Sequence, residues 1–129
     1  MRAAWRIVLR NKQPEIRIHR QGAHMVRHIF LWKVAPSADP NEVVRLLNEL
    51  PKKIPGCRSW TLGKHQGAPG ASGDLWDYGL VSDFDTFADL QKYSDHPFHM
   101  EVVNKLLPMF SARAVCDFVI PDHAAGGQR

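Results

Sequence analysis

The sequence predicts a single α+β domain of four strands and two helices in the order β-α-β-β-α-β, and three observations predict it. A chain of 129 residues suits one core. Its 44% hydrophobic and 23% charged residues form a globular balance, unlike that of a disordered or coiled-coil chain. Along residues 25–120 the apolar pattern alternates between strand and helix periods, with Pro, Gly and Asp at the switches.

The first strand is Val26-Arg27-His28-Ile29-Phe30-Leu31-Trp32-Lys33-Val34, apolar on both faces apart from Arg27, His28 and Lys33. A helix follows, with Asp39 as N-cap, Pro40 at its first position and Glu42 completing a capping box. Val43, Leu46, Leu47 and Leu50 form its apolar stripe, and Pro51 with Pro55-Gly56 is expected to end it. Residues 57–64 read as the second strand, with Trp60 and Leu62 on one face. The Gly-rich stretch 65–74 is a loop that could act as a lid. The third strand is expected over Leu75–Phe84, with Trp76, Tyr78, Leu80, Ser82 and Phe84 sharing a face. Asp85 is expected to cap a short helix carrying Phe87, Leu90 and Tyr93. Asp95-His96-Pro97 breaks that helix and restarts it, His96 setting the cap, with Met100, Val103 and Leu107 as the second half's stripe and Pro108 as its end. Residues 112–120 make the fourth strand.

This is the ferredoxin-like order, an antiparallel sheet with helices on one face. The strands are apolar on both faces and two helices cover only one. The uncovered face, taken to include Ile29, Leu31, Val81 and Val115, calls for a partner, most economically a second copy meeting it sheet to sheet.

Charge and cysteines exclude other classes. The formal net charge is +4, but residues 1–24 hold six basic groups against Glu15, so the other 105 residues carry a net −1. A nucleic-acid partner is therefore not expected, since such a domain carries its positive charge on its folded face. Residues 1–24 read as a basic, disordered extension ahead of a natural start at Met25, with a targeting segment, Arg-rich and acid-poor but without serine, as the alternative. Ile7-Val8-Leu9 is too short for a secretory core, and a cytoplasmic location is expected. Residues 121–129 read as a polar tail. Cys57 and Cys116 are too few for a disulfide scaffold and read as buried, reduced thiols. No apolar stretch nears the ~18 residues of a membrane span, so no membrane partner is expected.

Several short motifs then converge. Val26–Lys33 with its His28, Ile54-Pro55-Gly56 ahead of the second strand, and Tyr93-Ser94-Asp95-His96-Pro97-Phe98-His99 together resemble the stress-responsive α/β-barrel (Dabb) domain family over residues 25–120. The resemblance implies a dimeric α/β barrel. It also implies a site: a polyketide cyclase of this family has its catalytic His and Tyr at positions matching His99 and Tyr93, and its strand-one His at His28. Where that enzyme has a third-strand His, this chain has Tyr78.

The residue types suit that chemistry. An aldol closure needs a base to remove a carbon-bound proton and a donor for the enolate oxygen. His99 is the candidate base, with Tyr93 and His28 assisting. Phe30, Trp32, Tyr78, Leu80 and Trp60 are the candidate pocket lining for a small hydrophobic ligand. The plainer readings are that the histidines are hydrogen-bonded core residues and the aromatics simple filling. Asp74 and Asp77 could hold a surface cation or be solvated. His96 and His99 lack a third ligand of clear geometry, so no metal is expected. Without a P-loop, dinucleotide or flavin motif no cofactor is expected. The functional expectation is a cofactor-independent cyclase, isomerase or lyase acting on a hydrophobic carbonyl or polyketide-like compound. The alternatives are a non-catalytic, stress-associated dimeric or ligand-binding domain and a haem-handling monooxygenase-like protein.

Overall fold

β1 (Val26–Val34) runs through the middle of the sheet and is hydrogen-bonded to a neighbouring strand along both edges. In this computed structural model, which describes residues 24–69 and 73–122, the elements that follow are α1 (Pro40–Lys53), β2 (Cys57–Lys64) and β3 (Tyr78–Phe84). Next come α2 (Phe87–Asp95), α3 (Pro97–Leu106), a 3₁₀ turn (Leu107–Met109) and β4 (Phe110–Val119). The sheet order is β2-β3-β1-β4, every pairing antiparallel. This is the ferredoxin-like α+β fold. The predicted extension, apart from His24, and the tail beyond Asp122 lie outside the described residues, as do residues 70–72 of the Gly-rich loop. His24 Nε2 meets Asp122 Oδ1 at 2.5 Å.

Residues opposite one another in a ladder share a face. His28 faces Ser82 and Asp117, and Phe30 faces Leu80 and Val115. This face meets the helices. Val26, Trp32, Leu80 and Phe84 form one buried cluster with Val43, Leu46, Leu47 and Leu50 of α1, Leu90 and Tyr93 of α2, and Val102 and Leu106 of α3. The other face carries Ile29, Leu31 and Val81, each part-exposed, and the Arg27–Asp83 ion pair. Val115 does not belong to it: its register opposite Phe30 turns it to the helix side.

Local chemistry moves several boundaries. Pro51 does not end α1. It sits in the last turn, which closes when the Ile54 amide donates to the Leu50 carbonyl at 2.9 Å. Gly56, at φ 108°, then makes the left-handed turn into β2. Glu42 does not reach back to complete a capping box. Both its oxygens accept from Arg45, while Asp39 caps through the Asn41 amide. β3 starts at Tyr78, three residues later than its apolar run suggests. The Asp77 carboxylate accepts from the Val34 amide at 2.8 Å, and its own amide donates to the Trp32 carbonyl. Asp77 thus closes the end of β1, and Trp76 lies outside the strand beneath the Lys33 ammonium. Thr86 caps α2 by accepting from the Asp89 amide at 3.1 Å, and Asp85 is drawn away to Arg58. Phe87 is exposed. In α3 the buried residues are Val102 and Leu106, whereas Met100 and Leu107 are exposed.

Candidate functional site

The sheet and helices leave a half-enclosed cavity of about 200 Å³ between β1, β4, α1 and α3. Its walls are mostly aliphatic and aromatic, including Phe30, Leu47, Leu80, Val103 and Phe110. Three polar side chains that the sequence singled out, His28, Tyr93 and His99, all border it.

Each is placed by a different local cause. His28 is the first inward residue of β1 past Val26, and the β4 register sets Asp117 beside it. Its Nδ1–H donates to Asp117 Oδ1 at 2.5 Å. That bond keeps the ring proton on Nδ1 and leaves Nε2 with a free lone pair in the neutral ring. Tyr93 sits at the end of α2 and His99 in the first turn of α3. His96 joins the two helices: its Nδ1 accepts from the Phe98 amide at 3.1 Å, capping α3, and Pro97 opens the helix. The break folds the chain so that the Tyr93 and His99 rings meet edge to face, centroids 4.9 Å apart. Phe84 packs against Tyr93 at 4.9 Å.

Burial sets the electrostatics. It pushes the Tyr93 phenol well above its ordinary value, so the hydroxyl keeps its proton and can serve as a donor. It pulls the His99 imidazolium down from the ordinary 6.5, helped by His28 and opposed by the Ser94 backbone and Asp95. His99 is thereby held neutral and able to accept a proton. Among the described residues, its buried Nδ1 has no hydrogen-bond partner. Trp32 Nε1 and Ser82 Oγ are in the same condition, but of the three residues only His99 borders the cavity.

Of the expected lining, Phe30 and Leu80 are on the wall. Trp32, Tyr78 and Trp60 lie elsewhere. Trp32 is fully buried and stacked between Phe30 and Tyr78, with centroids at 5.3 and 5.4 Å. Trp60 packs against the core and donates from Nε1 to Asn48 Oδ1 at 2.8 Å. Trp32 and Tyr78 stand in the ladder row of Arg113, and Trp60 on β2 stands in the row of Ser82 and His28. Sequence reasoning missed Asp117, Ser94 and Arg113. The alternation Arg113, Val115, Asp117 in the fourth strand is the signal that could have found two of them. Among the described residues, no group of three or more His, Cys, Asp or Glu is arranged to hold a metal ion. Nor is any helix among them long and apolar enough to cross a membrane.

Solved structures of the same shape are numerous. A dimeric ferredoxin-like protein of unknown function from Thermobifida fusca is 28% identical, with a TM-score of 0.64 over 76% of this chain and 92% of its own. One from Bacteroides fragilis, also dimeric, is 27% identical, with a TM-score of 0.56 over 74% and 96%. The hydroxynitrile lyase of Passiflora edulis is 19% identical, with a TM-score of 0.71 over 78% and 96%. No curated protein matches the chain in a sequence search. The Stress responsive A/B Barrel Domain (Dabb) pattern matches residues 26–120, the whole of the sheet and its helices, and the chain belongs to that family.

Proposed function

We infer that this protein performs cofactor-independent acid–base chemistry on a small hydrophobic carbonyl compound, as a cyclase, isomerase or lyase in the cytoplasm. The observation that carries this reading is the buried His99 Nδ1, without a partner among the described residues, at the wall of an apolar cavity shared with Tyr93 and His28. In the cyclase form, neutral His99 takes a proton from the carbon next to a carbonyl. The C–H electrons become the enolate, whose oxygen receives a hydrogen bond from the Tyr93 hydroxyl. The enolate carbon attacks a second carbonyl carbon of the same molecule, and the alkoxide formed there regains the proton. Nothing is oxidised or reduced. Asp117 holds His28 in one tautomer, so that its Nε2 can orient the substrate.

The apolar face bearing Ile29, Leu31 and Val81 suits a second copy, and the similar proteins from Thermobifida fusca and Bacteroides fragilis are dimeric. The Passiflora edulis lyase has the same fold, which is compatible with chemistry of this kind. One observation favours a non-catalytic, ligand-holding reading instead: about 200 Å³ is below the ~300–1,000 Å³ typical of ligand pockets. It still exceeds the ~150 Å³ of an apolar cavity able to hold benzene.

Exchange of the methyl protons of acetophenone in D₂O, followed by NMR, separates the two. It needs only the proton-transfer half of the reaction. The protein should accelerate exchange, and His99→Ala should lower the acceleration by about 10²-fold or more. Binding of acetophenone without any acceleration would refute catalysis and leave a binding protein.

A further inference from the structure

Four arginines lie among the described residues. Arg27, Arg45 and Arg58 each engage a carboxylate, those of Asp83, Glu42 and Asp85. Arg113 engages none among the described residues, and it borders the cavity. Its place follows from the register. It lies opposite Trp32 on β4, on the helix side of the sheet, with Val115 and Asp117 on the same face. Its neighbours on the wall, Leu107, Phe110 and Val115, are apolar. Arg113, Leu107 and Val115 are exposed, so the guanidinium stands at the open rim of the cavity, where its planar fork matches a carboxylate.

We propose that Arg113 is a specificity residue that recognises a carboxylate on the ligand, so the compound taken up is a small hydrophobic acid. The proposal rests on the reading of this cavity as the ligand site and on nothing in the proton chemistry. Arg113 and Asp117 are four residues apart, about 13 Å along the strand at ~3.3 Å per residue. The carboxylate therefore binds at the opposite end from the His28–Asp117 pair, and the reacting carbonyl belongs to another part of the molecule. A keto acid, with an apolar body separating its two functional groups, has that layout.

Benzoate and benzamide have nearly the same shape and differ in charge, which makes them suitable probes. Calorimetric titration of the full chain should show benzoate binding at least about tenfold tighter than benzamide, the range of a hydrogen bond to a charged group. Arg113→Gln should abolish the preference, and Arg113→Lys should restore part of it. Shifts of the Leu107 and Val115 methyl resonances on adding benzoate should place it in the cavity beside Arg113. Equal affinity for the two probes, a preference that survives in Arg113→Gln, or benzoate binding without those shifts would overturn the proposal. Failure of the acid–base reading is recognisable separately: the benzoate preference would persist while acetophenone exchange stayed at its uncatalysed rate.

Discussion

Replacing His99 with phenylalanine should stabilise the fold while removing the proton acceptor. His99 Nδ1 is buried with no partner among the described residues, a deficit of about 1–3 kcal/mol for a polar group of this kind. Phenylalanine lacks that atom. It keeps an aromatic edge for Tyr93, whose ring lies 4.9 Å away and whose contact is of the type worth ~0.5–1.5 kcal/mol. Its modest extra volume meets an open cavity of about 200 Å³, so the overpacking that usually offsets such a change is small. The net expectation is a gain of about 1 kcal/mol, which raises Tm by roughly 4–8 °C in a domain of this size. Urea and thermal melts at pH 7.5 measure it, and acetophenone exchange on the same sample should be lost.

The pH dependence supplies a second readout. Burial depresses the His99 pKa from 6.5 in the folded protein, so below that value the unfolded chain binds a proton that the native state refuses. The wild type therefore has the full contribution of His99 above pH 6.5 and loses it as the pH falls. His99→Phe has no such loss, and its advantage should widen on acidification. A variant destabilised by more than ~1 kcal/mol, or an advantage that shrinks at low pH, would mean that folded His99 is engaged in a structural bond, and the reasoning would fail.

Two further perturbations test the sheet. Arg27→Met strips the Asp83 carboxylate of both its guanidinium bonds, at 2.8 and 2.9 Å, and should cost about 1–3 kcal/mol in urea melts at pH 7, since Asp83 is largely buried. Arg27 holds the Asp83 carboxyl below its ordinary 3.8, so the wild type loses this stabilisation as the pH falls beneath that value, and the variant should show a smaller acid loss. Leu31→Asp places a charge in the uncovered face beside Gly79. Sedimentation at micromolar concentration should show a dimer for the wild type and a monomer for the variant. A wild-type monomer would refute the sheet-to-sheet assembly.

Much of the architecture was legible because it depends on local rules. The alternation in residues 26–34, the stripe Val43-Leu46-Leu47-Leu50 and the cap at Asp39 act over a few residues, and each appears where the pattern puts it. The break at His96-Pro97 is equally local, and with it came the meeting of Tyr93 and His99. Reading failed where two residues could satisfy the same local rule. Asp85 and Thr86 can both cap a helix, and Arg58 across the sheet removes Asp85 from the choice. Val102-Val103 and Leu106-Leu107 are adjacent apolar pairs, and the packing of α3 on α1 selects Val102 and Leu106 for the core.

By itself, then, the sequence determined the element order, the apolar stripes and the short motif that carries Tyr93 and His99. It held no information on which residues of distant strands stand opposite one another. Only the tertiary structure set His28 against Asp117, turned Val115 and Arg113 toward the helices, and put Trp32, Trp60 and Tyr78 into packing away from the cavity. The physical reason is range. Periodicity and capping are decided within one or two turns, whereas register and the hollow left between layers come from the packing of all the elements at once.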